Sequence, residues 1–151
     1  MVKLGVLADS HRSVSKLVKA LEMLNDCGVI VHLGDHDSDM DGFDISPERL
    51  ISVPGNCDRN SFNPPTRIFE KEGVRVLVTH GDEFGVKYTT QRLFYKAKER
   101  EARLVLYGHS HRQGAEEAEG VLMLNPGALK NGEYARVTLD NGQISYELLT
   151  L

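Results

Sequence analysis

The sequence predicts a single α/β domain over residues 1–151, with two sheets and outer helices. Short apolar runs alternate with an amphipathic stretch in the first half, and hairpin patterns dominate the second half. No repeat, linker or low-complexity segment divides the chain. With 151 residues, 40% of them hydrophobic, the chain can bury a sizeable core but leaves little room for a second domain.

The first half predicts three strands and one helix. Residues 2–8, 29–33 and 50–53 are apolar runs with β-branched members, which is typical of strands buried on both faces. Ser13 is a predicted N-cap, and Gly28 lies near the expected helix end. Between them, apolar residues recur at the spacing of one helix face: Val14, Leu17, Val18, Leu21 and Leu24.

The second half is mostly β. Residues 66–70 and 74–79 flank a Lys-Glu-Gly turn and predict an antiparallel hairpin. Residues 89–103 predict a helix whose charged side chains form a solvated face. Further strands are expected at residues 104–107, 121–124, 134–139 and 143–149, the last two forming a hairpin around Asn141-Gly142.

Metal-capable side chains follow five of the apolar runs. The segments are Asp9-Ser10-His11, Gly34-Asp35, Gly55-Asn56, His80-Gly81 and Gly108-His109-Ser110-His111. Together they offer two carboxylates, one amide and four imidazoles, which suit divalent cations of hard or borderline character. Two such cations side by side can clamp the attacking and leaving oxygens of a phosphoryl transfer. This set therefore indicates a two-metal phosphoesterase.

Each segment alone also has a simpler explanation. The Gly-Asp and Gly-Asn pairs are common turn residues, Asp9 can cap a helix, and His80 can be an ordinary strand-end histidine. The joint occurrence of all five segments after predicted buried strands favours metal binding. His32 lies inside an apolar run and is expected to be a hydrogen-bonded core histidine, while the acidic residues that follow Asp35 predict a solvated loop.

Composition excludes several classes. The net charge of -4 and the lack of a long basic tract argue against strong nucleic-acid binding. No apolar run approaches the roughly 20 residues of a membrane span, and charge interrupts the first strand too early for a signal peptide. With only Cys27 and Cys57, we expect no disulfide framework and a cytoplasmic location.

The ordered set of these motifs resembles the calcineurin-like metallophosphoesterase superfamily, and within it the small prokaryotic phosphodiesterases. The matching blocks are Asp9-x-His11, Gly34-Asp35, Gly55-Asn56-Cys57-Asp58, His80-Gly81-Asp82, Gly108-His109-Ser110-His111 and Asn125-Pro126-Gly127. They cover about residues 4 to 130 in the family's order. The resemblance implies a four-layer α/β/β/α sandwich of two mixed β-sheets flanked by helices, with a dinuclear site.

The resemblance also implies a ligand set and a reaction. One metal would be held by Asp9, His11 and His111, the other by Asn56, His80 and His109, and Asp35 would bridge them. A hydroxide shared by the two metals would attack phosphorus in line. Asn56 and His80 would hold the metal that receives the phosphate, and His11 would lie near the leaving oxygen. We expect two manganese ions; iron, zinc, nickel, cobalt and magnesium stay open.

Cys57 departs from the family pattern. Many members have histidine at this position, where it is proposed to protonate the leaving group or steady the transition state. A neutral thiol with a pKa near ~8.5 is a poor substitute, although an adjacent dication could make it a thiolate. The sequence therefore leaves the general acid open and predicts a preference for good leaving groups or strained cyclic esters.

Three functions stay open at this stage. The favoured function is a phosphodiesterase acting on a small phosphoester substrate. A phosphomonoesterase or nucleotide pyrophosphatase could use the same metals. A non-catalytic metal-binding interaction module is the third, because some relatives of the fold, such as the retromer scaffold subunit, act mainly by binding partners. A homo-oligomer is possible, although no sequence pattern indicates one.

Overall fold

The computed structural model describes residues 1–151 and contains ten strands and two α-helices. In chain order they are β1 (Val2–Leu7), α1 (Val14–Met23), β2 (Val29–His32), β3 (Leu50–Ser52), β4 (Thr66–Lys71), β5 (Val74–Thr79), α2 (Gln91–Glu99), β6 (Leu104–Leu106), β7 (Gly114–Ala118), β8 (Val121–Asn125), β9 (Glu133–Asp140) and β10 (Gln143–Thr150). Short 3₁₀ helices lie at Asp37–Gly42, Asp82–Phe84 and Leu129–Asn131. None of the helices has the length and apolarity that a membrane crossing requires.

The strands form two five-stranded mixed sheets. The first has the order β10-β9-β1-β2-β3, in which β1, β2 and β3 run parallel and β9 and β10 are antiparallel to their neighbours. The second has the order β4-β5-β6-β8-β7, with β5, β6 and β8 parallel. The parallel strands of each sheet therefore end at the same edge, where ligand sites form in α/β folds.

The alternation of side chains along the strands divides the core into three parts. Leu4 and Val6 of β1 point toward the second sheet, where they join Val76 and Val78 in one cluster. The opposite faces contact the helices: Leu7 of the first sheet packs with α1, and Leu77 of the second packs with α2. Complete burial of each such side chain contributes about 1.5–3 kcal/mol to folding. The predicted four-layer α/β/β/α class is confirmed.

Helix α1 ends at Met23, before the predicted end near Gly28. Helix α2 and strand β7 differ from the prediction for identifiable reasons. The helix expected over residues 89–103 ends at Glu99, because Glu101 adopts a left-handed conformation with a φ of 58°. The Ala102 N–H then bonds to the Ala97 carbonyl and the Glu101 N–H to the Lys98 carbonyl, which closes the helix in a Schellman motif. Strand β7 was not predicted because its Gly-Ala-Glu-Glu-Ala sequence lacks β-branched and aromatic residues, and only pairing with β8 makes it a strand.

Candidate metal centre

The candidate centre lies where strand ends from both sheets meet. Asp9 follows β1, Asp35 follows β2 and Asn56 follows β3 in the first sheet, while His80 directly follows β5 and His109 follows β6 in the second. The strands are apolar and lie in the core. Polar side chains come after the carboxyl end of each of these strands, where the chain leaves the core. The two sheets thereby bring together donors that are far apart in sequence.

One group of donor atoms is contributed by Asp9, His11, Asp35 and His111. One ligand atom from each lies within 4.8 Å of the others. His111 Nε2 is 3.3 Å from Asp9 Oδ1. His11 Nε2 is 3.8 Å from the same Asp9 oxygen and 3.7 Å from Asp35 Oδ2. Two carboxylates and two imidazoles at these distances can surround a divalent cation.

A second group adjoins the first and shares Asp35 with it. Asp35, His80 and His109 each offer one ligand atom within 4.8 Å of the others. His80 Nε2 lies 3.5 Å from Asp35 Oδ2, 3.1 Å from His109 Nδ1 and 3.2 Å from Asn56 Oδ1. All seven side chains predicted as ligands are therefore brought to one place.

The backbone at this site is unusual. Left-handed φ values are rare for residues other than glycine and cost on the order of 1–3 kcal/mol where they are imposed. Five of the predicted ligands adopt them: Asp9 (54°), His11 (43°), Asp35 (54°), His109 (70°) and His111 (61°). Packing and hydrogen bonds hold these loops; for example, the Asp9 N–H donates to the Gly34 carbonyl at 2.9 Å. Such concentrated strain is typical of functional sites.

Two observations test whether a cation fits. Asp9 Oδ1 and His11 Nε2 are buried and have no hydrogen-bond partner in the protein. Buried polar atoms are normally paired, so an unpaired carboxylate oxygen beside an imidazole nitrogen requires a partner that both can bind. His80 Nδ1 lies 2.7 Å from the Leu33 carbonyl, which can only accept, so Nδ1 carries a proton and Nε2 is the ring nitrogen that faces the other donors. The donor set fits divalent metal ions.

The pKa values of the Asp9 and Asp35 carboxyl groups are shifted in opposite directions. Burial raises the pKa of the Asp9 carboxyl to about 7; His80 opposes the shift, and the charge of Asp35 adds to it. Burial acts on Asp35 too, but His80, the Cys57 N–H and His11 outweigh it and hold the pKa of this carboxyl below its usual range. Asp35 is therefore the anionic member of the pair at neutral pH.

The imidazoles are mostly neutral. Burial lowers the pKa of His11, His109 and His111, which favours the unprotonated form that binds metals. At His80 burial acts in the same direction, but its interactions with Asp35 and Asp9 prevail and the pKa is raised.

Gly55 permits the observed position of Asp35. A Cβ on Gly55 would overlap Asp35 Oδ1 and lie 2.6 Å from the Asp35 backbone nitrogen. Asp35 Oδ1 accepts the Cys57 N–H at 3.0 Å, which leaves Oδ2 facing the imidazoles. The Gly55-Asn56-Cys57 segment therefore positions Asp35 as well as presenting its own side chains.

Several residues that support the centre were not predicted. Ser10 Oγ donates to Asp39 Oδ2 at 2.7 Å and lies 3.0 Å from His32 Nε2. The Gly34 N–H donates to His32 Nδ1 at 3.2 Å, so the prediction of a buried, hydrogen-bonded His32 is confirmed. The expectation of a solvated acidic loop is wrong for Asp37, which is buried, because its carboxylate accepts hydrogen bonds from side chains of another loop.

Two further residues hold the ligand-bearing loops. Asp58 Oδ2 accepts the Gly55 N–H at 2.8 Å and its Oδ1 accepts the His36 N–H at 2.8 Å. Asn125 is buried and its Nδ2 donates to Ser110 Oγ at 3.0 Å, between His109 and His111. In the sequence, Asp58 and Asn125 are marked only by their places in the matching blocks. Their hydrogen bonds join loops that are distant along the chain, and no local pattern indicates such contacts.

Comparison with known proteins identifies the family. The calcineurin-like phosphoesterase superfamily domain matches residues 2–142. The chain is 31% identical over 145 residues to the probable metallophosphoesterase YsnB of Bacillus subtilis (strain 168), covering 90% of this chain and 83% of YsnB. It is 28% identical over 144 residues to phosphodiesterase MJ0936 of Methanocaldococcus jannaschii, covering 83% of each chain.

A solved structure gives the same result. A predicted phosphoesterase from Streptococcus pneumoniae TIGR4 superposes with a TM-score of 0.81 at 28% identity, over 99% of this chain and 89% of that one. The match extends over both sheets and over every strand end that carries a candidate ligand. The chain belongs to the calcineurin-like phosphoesterase superfamily.

Proposed function

We propose that the chain is a phosphodiesterase that works with two divalent cations. The observation that carries the proposal is the position of Asp35 Oδ2, which lies 3.7 Å from His11 Nε2 in one donor group and 3.5 Å from His80 Nε2 in the other. Two nearby cations repel each other, and a carboxylate between them lowers that cost. The name of the relative MJ0936 supports a diester substrate.

The seven donors divide between the two cations as the family pattern implies. Asp9, His11 and His111 would hold one, Asn56, His80 and His109 the other, and Asp35 both. When bound, such a pair supplies a hydroxide for in-line attack on phosphorus and neutralises charge on the phosphoryl oxygens. Four imidazoles with two carboxylates suit manganese, iron, zinc, nickel or cobalt better than magnesium, and we expect manganese.

The protein's own groups around the centre orient the reactants. Cys57 is an exposed residue, but partial burial of its thiol group and the nearby carboxylates raise the pKa of that thiol. This raised pKa favours the protonated thiol in the absence of cations, and a protonated thiol can donate a hydrogen bond to a leaving oxygen, although it is a weak acid. His11 is a quarter exposed, and its ring centroid lies 5.4 Å from that of His36. The weak acidity of the thiol favours esters whose leaving groups need little protonation.

We also place the protein in the cytoplasm. Cys27 is buried and Cys57 is exposed, and neither forms a disulfide. Free thiols are typical of a reducing compartment. We expect a small phosphoester as the substrate, and the sequence leaves a homo-oligomer open.

Turnover by metal-reconstituted protein tests the proposal. We expect manganese-dependent hydrolysis of bis(p-nitrophenyl) phosphate that exceeds hydrolysis of p-nitrophenyl phosphate. The Asp35→Asn and His109→Ala variants should each lose at least about a hundredfold in kcat/KM, because the first removes the negative charge between the cations and the second removes a metal ligand. Asp140→Asn, which alters an exposed carboxylate at the end of β9, is the matched control and should retain activity.

The outcomes separate the alternatives. Preferential hydrolysis of monoesters or of nucleoside diphosphates would indicate a phosphatase or a nucleotide pyrophosphatase. Metal binding without turnover of any ester would indicate an interaction module. Undiminished activity in His109→Ala would overturn the ligand assignment.

A further inference from the structure

A cleft of about 630 Å³ opens beside the metal centre. Its volume lies within the range of about 300–1,000 Å³ that small-molecule sites occupy. Cys57 and His36 line it on the side of the centre. The Cys57 N–H donates to Asp35, and the His36 ring centroid lies 5.4 Å from that of His11. A substrate whose phosphorus is at the centre can therefore extend into this cleft.

The walls of the cleft are fixed by partly buried hydrogen bonds. Asp37 Oδ2 accepts the Ser61 hydroxyl and the Asn63 amide, the latter at 2.8 Å. Asp58 accepts backbone N–H groups from both sides of the cleft. These bonds tie the loop after β2 to the loop after β3, so the cleft is formed before any ligand binds. The donors in these bonds are uncharged, so the lining holds three carboxylates, of Asp37, Asp41 and Asp58, beside its two arginines.

Two arginines line the cleft without a partner. Neither the Arg12 nor the Arg59 guanidinium forms a hydrogen bond or an ion pair within the protein. Arg12 directly follows His11, and its backbone N–H is held by Asp39 Oδ2 at 2.8 Å. A guanidinium presents paired N–H donors that match the oxygens of a phosphate, so two free arginines beside a phosphoester centre suit a second phosphate.

Phe62 gives the cleft one aromatic surface. Its side chain is fully exposed, which is unusual for phenylalanine because its burial is normally favourable. The neighbouring side chains in the lining are polar: Ser38, Asn60, Ser61 and Asn63. A single flat ring within a polar cleft suits a ligand that combines hydroxyl groups with one planar base, because bases stack on aromatic rings.

We propose that this cleft binds a nucleotide arm of the phosphodiester substrate. The base stacks on Phe62, and a second phosphate binds to Arg12 and Arg59. The inference rests on the proposed function, since it takes the scissile phosphorus to lie at the metal centre. A short nucleotide fits better than a polynucleotide, because the chain carries a net charge of -4 and no long basic tract.

Binding of adenosine 3′,5′-bisphosphate to the manganese-loaded protein tests the cleft without catalysis. One phosphate can occupy the centre while the base and the other phosphate occupy the cleft. Arg59→Ala should weaken this binding by about tenfold or more and leave the binding of adenosine 3′-monophosphate nearly unchanged. Phe62→Leu should weaken the binding of both compounds, and Phe62→Trp should restore it.

Matched controls lie outside the cleft. Arg92→Ala removes an exposed arginine of α2, and Tyr146→Ala removes a partly exposed ring of β10. Neither should change the dissociation constant of either compound by more than about twofold. An Arg59→Ala protein that binds the bisphosphate as tightly as the original, or a Phe62→Leu protein with unchanged affinity for both compounds, would overturn the inference.

Turnover separates this inference from the proposed function. The ratio of kcat/KM for the 5′-phosphorylated dinucleotide pApA to that for ApA should fall about tenfold in Arg59→Ala, mainly through KM. If bis(p-nitrophenyl) phosphate is hydrolysed with manganese but this ratio is unaffected, the nucleotide cleft is refuted and the phosphodiesterase stands. If no ester is hydrolysed and no metal binds, the proposed function itself fails.

Discussion

At the scale of single residues, the candidate ligands were predictable and their supports were not. Asp9, Asp35 and His80 each follow an apolar run, so a pattern along the chain marks them. Ser10 and Asp58 act through hydrogen bonds to other loops, and no local periodicity reports such contacts. Residues that contact a ligand can therefore be found by their chemistry, whereas residues that orient them require the fold.

Gly55 illustrates such an orienting position and gives a prediction. A methyl group there would overlap Asp35 Oδ1, so Gly55→Ala should displace the carboxylate shared by the two donor groups. We expect at least about a hundredfold loss of phosphodiesterase activity together with weaker manganese binding, since misplacing a catalytic group by 1 Å can cost that much. Isothermal titration with manganese and turnover of bis(p-nitrophenyl) phosphate measure both.

The control for this variant is Gly28→Ala. A Cβ at Gly28 would meet no atom within 4 Å, so the same chemical change should leave activity and metal affinity intact. Far-UV circular dichroism checks that both variants fold. Normal manganese affinity in Gly55→Ala would show that Asp35 can be held without close approach of the glycine.

Cys57 carries the second prediction at this scale. Its thiol pKa is raised by its surroundings, which makes it a weak proton donor to a leaving group. Cys57→His should raise the rate for alkyl phosphodiesters by about tenfold or more relative to aryl ones, because general acids contribute most when the leaving group is poor. Rates across a series of leaving-group pKa values measure this change.

Cys57→Ser supplies the comparison, because serine has neither the thiol nor an imidazole. The serine variant should keep the original dependence on leaving-group pKa. If the histidine variant shows that same dependence, the thiol contributes only packing beside the centre. The original protein hydrolysing alkyl and aryl diesters equally well would also contradict the expected preference.

At the scale of elements, strands were predictable where burial dictates their composition. The strands β1, β2 and β5 lie within a residue or so of their predicted bounds, because buried strands need continuous apolar runs. The end of α2 was missed because glutamate, not glycine, takes the left-handed position after the helix. Secondary-structure propensity fails to predict an element where neighbouring elements impose a conformation that its residues do not prefer.

The loop after β1 and the end of β2 are coupled through His32, which predicts a dependence of stability on pH. Burial lowers the pKa of His32 to about 4, from an ordinary value of 6.5. Between these values the unfolded chain binds a proton that the folded chain does not, so the free energy of unfolding falls as the pH falls. Between pH 7 and pH 5 this residue should cost about 2 kcal/mol.

Urea unfolding in the presence of a chelator measures this contribution. His32→Asn keeps an oxygen acceptor near the Gly34 N–H but has no titrating group, so its stability should fall less between pH 7 and pH 5 than that of the original protein. Both proteins contain Asp9 and the other histidines. Comparison of how the free energy of unfolding changes with pH in the two proteins therefore cancels the titration of these groups. An identical pH dependence of the unfolding free energy in both proteins would mean that His32 has the same protonation state in the folded and the unfolded chain.

At the scale of the whole molecule, the candidate centre joins the two sheets. Asp9, His11 and Asp35 come from loops of the first sheet, and His80 and His109 from loops of the second. Between these loops the sheets are otherwise held by an apolar core. Cations bound at the centre would therefore add a polar connection between the sheets at the edge where the strained loops lie.

Metal removal should accordingly lower the stability of the entire fold. A ligand that binds only the folded state stabilises it by about 4 kcal/mol when its free concentration is a thousand times its dissociation constant. We expect the free energy of urea unfolding to rise on this scale with saturating manganese, and the rise to be much smaller in His109→Ala, which loses a donor from the second sheet. Since the chain has no tryptophan, far-UV circular dichroism is the suitable signal. With Arg92→Ala as the control, an equal gain in His109→Ala would show that His109 does not contribute to cation binding.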